Sequence, residues 1–207
     1  NITVRATITS TSVRFLDEIY DYFVQNGVKR FALEPEFECG RCKTTGEVAP
    51  SSKIFIDNFA PLLKRAKNDG ITVANSMGTI ENFRTRYCGA AGINFCVTTD
   101  EMISSCYEVT NRSDARADVF LYGRYNRLTK SFECDEDKRR NLFERQIHNL
   151  SGCSSCAVKW NCGGDCLAKA ALFDDLFNHS TQDRSRCELQ LLIAEEKIRL
   201  LCDDGGI

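Results

Sequence analysis

Hydrophobic and polar positions in the first third of the chain switch between two periods. Ile2-Thr-Val-Arg-Ala-Thr-Ile-Thr9 alternates β-branched and polar residues, the period-two pattern of a strand. Ser12 to Gln25 places Phe15, Leu16, Ile19, Tyr22 and Phe23 at helical spacing, and Asn26-Gly27 supplies the stop. Val28 to Leu33 reads as a second strand ended by Pro35, Ile54 to Asn68 as a helix closed by Asp69-Gly70, and Ile71 to Ala74 as a third strand. The order β-α-β-α-β with short loops predicts parallel strands joined by helical crossovers. Three strands cannot close a barrel, so the pattern predicts the end of a larger α/β sheet.

From about Ser76 the texture changes to glycines, cysteines and short strands. Ile93 to Thr98 and Met102 to Cys106, split by Thr99-Asp-Glu101, predict a hairpin. Helices are predicted over Asp135 to Asn149, with Leu142, Phe143 and Ile147 on one face, over Leu167 to Phe177, and over Cys187 to Leu201. A boundary is expected near residues 76–86. At 43% hydrophobic and 27% charged, the composition is that of an ordinary globular protein. A net charge of -2 and a pI near 5.8 give no reason to expect nucleic acid or an anionic membrane as partner. No apolar run approaches the roughly 18 residues that span a bilayer. The chain opens inside a strand pattern, without a start methionine or a signal peptide, and reads as part of a longer cytoplasmic protein.

Twelve cysteines against two histidines, His148 and His179, are the anomaly. Cys153, Cys156, Cys162 and Cys166 stand at the spacing C-x2-C-x5-C-x3-C, with Gly163 and Gly164 between the last two. A disulfide framework is the least favoured reading, since such frameworks serve exported domains too small to build a core. Zinc and iron-sulfur ligation remain open alternatives on the chemistry alone, because thiolates suit both.

Seven cysteines form one longer pattern. Cys88 is followed by Glu101 and Cys106, then by the four-cysteine block, then by Cys187. This resembles the seven-cysteine signature of the SPASM domain, the C-terminal module of many radical S-adenosylmethionine (SAM) enzymes. The central block matches without departure, and Glu101 replaces the glycine usual in a hairpin turn. Tyr87-Cys-Gly-Ala-Ala-Gly92, Cys106-Tyr-Glu108 and Tyr122-Gly123 also resemble segments of peptide-modifying members. The resemblance implies an α/β fold: the last β/α units of a partial (β/α)6 radical SAM barrel over residues 1–80, then a small cysteine-rich α+β SPASM domain over residues 81–207.

It further implies two auxiliary [4Fe-4S] clusters in this segment. Cys88, Cys106 and Cys166 would hold the first, with Cys96 as candidate fourth ligand or an iron left open to substrate; Cys153, Cys156, Cys162 and Cys187 would hold the second. The intact enzyme would carry SAM and a third [4Fe-4S] cluster on a C-x3-C-x2-C loop, a spacing absent here, so this segment alone should generate no radical. It would be a peptide or protein maturase: a 5'-deoxyadenosyl radical abstracts hydrogen from the substrate, and a protein such as flavodoxin or ferredoxin supplies electrons. Arg5 is a candidate for the SAM carboxylate, since guanidinium pairs bidentately with carboxylate. Glu34 and Glu36, at a strand's C-terminal end, are read as solvated loop residues with substrate contact as the alternative. Cys39-Gly-Arg-Cys42 is read as a pair of loop thiols, with a redox pair or further metal site as the alternative. Cys134 and Cys202 are read as ordinary thiols, Trp160 as packing over a cluster, and Asp135 to Arg140 as a solvated helix start. The alternative function from a different class is a zinc-binding interaction module.

Overall fold

A computed structural model describes residues 2–37, 42, 46–172, 177 and 185–203. In chain order the elements begin with β1 (Val4–Ile8), α1 (Leu16–Gln25), β2 (Arg30–Pro35), α2 (Ser52–Asn68), β3 (Thr72–Ala74), β4 (Cys96–Val97) and β5 (Met102–Ser104). They continue with α3 (Ala117–Phe120), β6 (Leu121–Asn126), β7 (Ser131–Cys134), α4 (Glu136–Phe143), α5 (Lys159–Cys162), α6 (Leu167–Ala170) and α7 (Ser185–Cys202). Residues 1–81 together with 185–207 form one compact unit and residues 82–184 another. The last helix, which the expected 81–207 domain includes, therefore belongs with the first unit.

The first unit is built on a parallel sheet in the order β1-β2-β3. Strand alternation sends Ile8, Phe31 and Leu33 into a core shared with Leu16 and Tyr20 of α1, Phe55, Phe59 and Leu62 of α2, and Leu189 and Ile193 of α7. The opposite face carries Arg5 beside Ala32, and Thr7 beside Glu34. Ser51 starts α2 by accepting the Ile54 N–H at 3.3 Å. Pro61 lies inside α2, where the burial of Phe59, Leu62 and Leu63 around it outweighs the lost backbone bond. β2 runs through Pro35 instead of stopping at Leu33, because Pro35 pairs at the strand's end with Ile8.

The second unit holds an antiparallel sheet in the order β4-β5-β6-β7. The first strand of the expected hairpin shrinks to Cys96–Val97, because the amides of Ile93 and Asn94 are both spent on the Gly89 carbonyl. Glu101 takes φ +66°, the left-handed backbone that glycine favours, so the turn keeps glycine geometry without glycine. Its carboxylate pairs with Arg127 across the sheet end. The helix expected over Asp135 to Asn149 stops at Phe143, and a separate tight turn covers Ile147–Asn149. Asp135 caps that helix by accepting the Lys138 N–H at 2.9 Å. The helix expected from Leu167 to Phe177 stops at Ala170 as α6, with Ala171 and Leu172 in a turn; residues 173–176 lie outside the described residues.

Candidate metal centre

The four-cysteine block folds as a chain of short turns. Cys153 ends a tight turn (Ser151–Cys153), and its carbonyl accepts the Cys156 N–H at 3.2 Å, which sets the second cysteine one turn on. Cys162 ends α5, its N–H bonded to the Val158 carbonyl at 2.8 Å. Gly163, Gly164 and Asp165 then take φ of +69°, +87° and +57° in succession. Such a run reverses the path of the backbone, and Cys166 leaves it to lead α6. A side chain at Gly163 would bring its Cβ within 2.6 Å of the Arg86 carbonyl carbon, so the closeness of the Arg86 strand of chain also demands glycine.

The block divides its sulfurs. Burial first, then the neighbouring Cys162 and Cys156 sulfurs, pushes the Cys153 thiol up to about 11. Cys153 is itself buried with Ile147 and Leu150. Cys106 is also pushed up by burial, against the Glu108 backbone N–H that pulls it down, with the Glu108 charge and the Cys166 sulfur adding smaller upward contributions. Cys106 and Cys166 pack in one buried cluster with Ala90, Phe120 and Leu167. The thiols thus fall into one neighbourhood of Cys153, Cys156 and Cys162 and another of Cys106 and Cys166. Among the described residues no three His, Cys, Asp or Glu side chains converge closely enough to grip a metal ion.

Charged side chains pack beside both neighbourhoods. Arg145, 4% exposed, donates to the Gly164 carbonyl at 3.1 Å and to the Asp165 carbonyl at 3.5 Å, in the link between Cys162 and Cys166. Burial holds its guanidinium below the usual arginine range, against the opposing pull of Asp165 and of the Cys153, Cys166 and Cys162 sulfurs. Beside Cys106 and Cys166, Glu108 accepts from Lys169 and from Arg116, each at 3.0 Å, and Arg116 also pairs with Asp114 at 2.9 Å. Burial pushes the Glu108 carboxyl up, but Lys169 and Arg116 outweigh it and hold it below the usual carboxylate range. This network ties the segment after Cys106 to the helix after Cys166. Sequence reading found neither Arg145 nor Arg116 and Lys169, since nothing in composition or spacing separates a buried arginine from a surface one.

The remaining candidates are scattered. Cys88 is exposed, and Cys96 is half-buried on β4 with its sulfur 4.0 Å from the Val97 carbonyl oxygen. Cys187 is half-buried on α7, in the first unit. Cys39 lies outside the described residues, whereas Cys42 is buried and its thiol donates to the Glu47 carbonyl at 2.8 Å. Cys134, on β7, and Cys202 are exposed thiols. Arg5 is exposed on the sheet face turned away from the helical core. Glu34 is not the solvated loop residue expected: it is 7% exposed, its carboxylate accepting the Ser76 N–H at 2.7 Å and the Ser76 hydroxyl at 2.8 Å. Trp160 is 40% exposed, its carbonyl accepting the Arg84 N–H at 2.7 Å.

Solved structures share this fold. Native anSMEcpe with bound AdoMet and Cp18Cys peptide superposes with a TM-score of 0.60 at 15% identity, covering 99% of this chain and 58% of the other. Native anSMEcpe with bound AdoMet alone gives 0.60 at 14% identity, over 99% and 57%. The chain has the fold of the C-terminal part of anSMEcpe, a radical SAM/SPASM enzyme. The hexahistidine-tagged form of anSMEcpe with bound AdoMet agrees, with a TM-score of 0.58 at 13% identity over 99% and 55%. This chain therefore spans little more than half the length of the anSMEcpe structures it matches. Its sequence matches no family profile and no curated protein.

Proposed function

We propose that this chain is the C-terminal part of a radical SAM enzyme that modifies a peptide or protein. In this reading the parallel sheet is the last part of a partial barrel, and the second unit is a SPASM domain holding auxiliary iron-sulfur clusters. The observation that carries it is the partition of the thiols on this fold. Cys106 and Cys166 form one neighbourhood, and Cys153, Cys156 and Cys162 form another, in the division that the SPASM resemblance implies. Cys88 would complete the first set's protein ligands and Cys187 is the second set's fourth ligand on the resemblance alone. A half-covered sheet supports the barrel assignment, because parallel sheets otherwise bury both faces.

The chemistry of the donor set fits such a group. The donors are all thiols, the ligand type that iron-sulfur clusters take. Burial of Cys106 and Cys153 favours their protonated forms, so binding must replace protons with metal, and the buried guanidinium of Arg145 lies ready to offset negative charge. When bound, such clusters supply one-electron transfer or an iron site open to substrate. The chain's own part is to hold the ligands apart in two sets, to exclude water around Cys106 and Cys153, and to fix Cys166 through the bonds of Lys169 and Arg116 to Glu108. Arg5, on the sheet face free of the helical core, is proposed to pair with the SAM carboxylate. The peptide substrate is proposed by analogy with the peptide bound to anSMEcpe.

Anaerobic purification followed by metal analysis tests the reading. About eight irons per chain and a brown protein are expected if two [4Fe-4S] clusters are filled. A colourless protein that retains zinc, prepared without added zinc, would sink the proposal in favour of a zinc module. Cys153→Ala and Cys166→Ala should each remove a different centre, and identical residual spectra would reject the crossed assignment.

A further inference from the structure

Arg145 holds a position whose consequence goes further than the offset of charge proposed above. It lies outside the cysteine block in sequence, yet only 4% of it is exposed, and its guanidinium reaches the carbonyls of Gly164 and Asp165. Those two residues belong to the three-residue link between Cys162, of one thiol neighbourhood, and Cys166, of the other. A side-chain carbon on Gly164 would stand 3.6 Å from the Arg145 Nη1. The cation is therefore seated at the seam between the two thiol sets. Asp165, 4% exposed, carries the charged side chain of that link.

We infer that Arg145 is a shared counter-charge, a single buried guanidinium that favours the reduced state of both thiolate-bound centres. The inference rests on the iron-sulfur reading proposed above. A cluster held by thiolates gains one further negative charge on reduction, and a fixed cation in a low-dielectric surrounding stabilises that charge. Because the guanidinium is bonded to the link that joins the two ligand sets, its charge acts on both centres. A clamp without an electrostatic role would act differently: it would hold the link in place through hydrogen bonds and leave both potentials alone.

A redox titration of the anaerobically reconstituted 207-residue chain, followed by electron paramagnetic resonance, separates the two. Arg145→Gln is expected to lower the reduced-to-oxidised ratio of both centres at a fixed poise by about tenfold, a shift of about 59 mV for a one-electron couple. Arg145→Lys, which keeps the charge but not the planar fork, should stay within about threefold of the parent at both centres. Unchanged ratios in Arg145→Gln, a change at one centre only, or an equal fall in Arg145→Lys would overturn the inference. If Arg145→Gln assembles no clusters, iron content decides: retention of both centres by Arg145→Lys supports the charge role, and equal loss in both variants overturns it. A parent chain that takes up no iron sinks the underlying reading as well, and is told apart by metal analysis before any variant is made.

Discussion

Replacing Gly163 by alanine is the sharpest perturbation of the cysteine block. Two costs add at this position. The backbone sits at φ +69°, where an L side chain is disfavoured by about 1–2 kcal/mol, partly offset by about 0.4–1 kcal/mol from a stiffer unfolded chain. The new Cβ would also lie 2.6 Å from the Arg86 carbonyl carbon and 2.8 Å from its oxygen. Those atoms are main chain and cannot rotate away, so overpacking adds about 1–3 kcal/mol. The expected loss is about 1–5 kcal/mol, read by urea denaturation through the transition of residues 82–184, with iron uptake falling in parallel. Gly163→Asn separates the two costs, since asparagine tolerates the left-handed backbone but carries the same Cβ. Recovery of parent stability by Gly163→Asn would refute the steric argument and leave only a dihedral one.

Three further outcomes are expected. Burial, and then a 2.8 Å bond to Asp69, pushes the Tyr20 phenol up to about 12. Its contribution is complete below the unfolded pKa near 10 and is lost as pH rises through about 12, so stability should fall by about 1–2 kcal/mol over that window after solvent screening at the half-exposed Asp69; Tyr20→Phe should flatten that slope in alkaline denaturation. Glu108→Ala removes the carboxylate that joins Lys169 to Arg116, leaving Arg116 its pair with Asp114, and should cost about 1–3 kcal/mol in thermal unfolding, whereas a loss under about 0.5 kcal/mol would mean the network contributes nothing. Ser51→Ala removes the cap on α2 and should cost about 1 kcal/mol, with the loss confined to the first unit by hydrogen exchange.

The parallel sheet was legible in the sequence because its strands and helices keep clean periods of about two and 3.6. Ile8, Phe31, Leu33, Phe55 and Phe59 all point where the pattern sends them. The β6–β7 hairpin was missed because its turn residue Lys130, at φ +53°, occupies a backbone that glycine or asparagine would have advertised. β7 is exposed at all four positions and gives no apolar stripe to read. The cysteine block was legible by spacing, but its partition follows from three consecutive positive φ values, of which only the two glycines carry a signal. Asp165 adopts the same conformation while looking like any acidic residue. Glu34 was misread for a related reason: a carboxylate after a strand is usually solvated, and its Ser76 partner lies forty-two positions away.

The return of α7 to the first unit sets an order on synthesis. Residues 2–81 leave the ribosome with Phe55, Phe59 and Leu62 lacking the Leu189 and Ile193 side chains that complete their core. About a hundred residues, 82–184, must be made before that helix emerges. At roughly 5–20 residues per second, the half-built face waits for about 5–20 seconds. The second unit, continuous in the chain, can fold during that interval, so of the two units the one begun earlier is finished later.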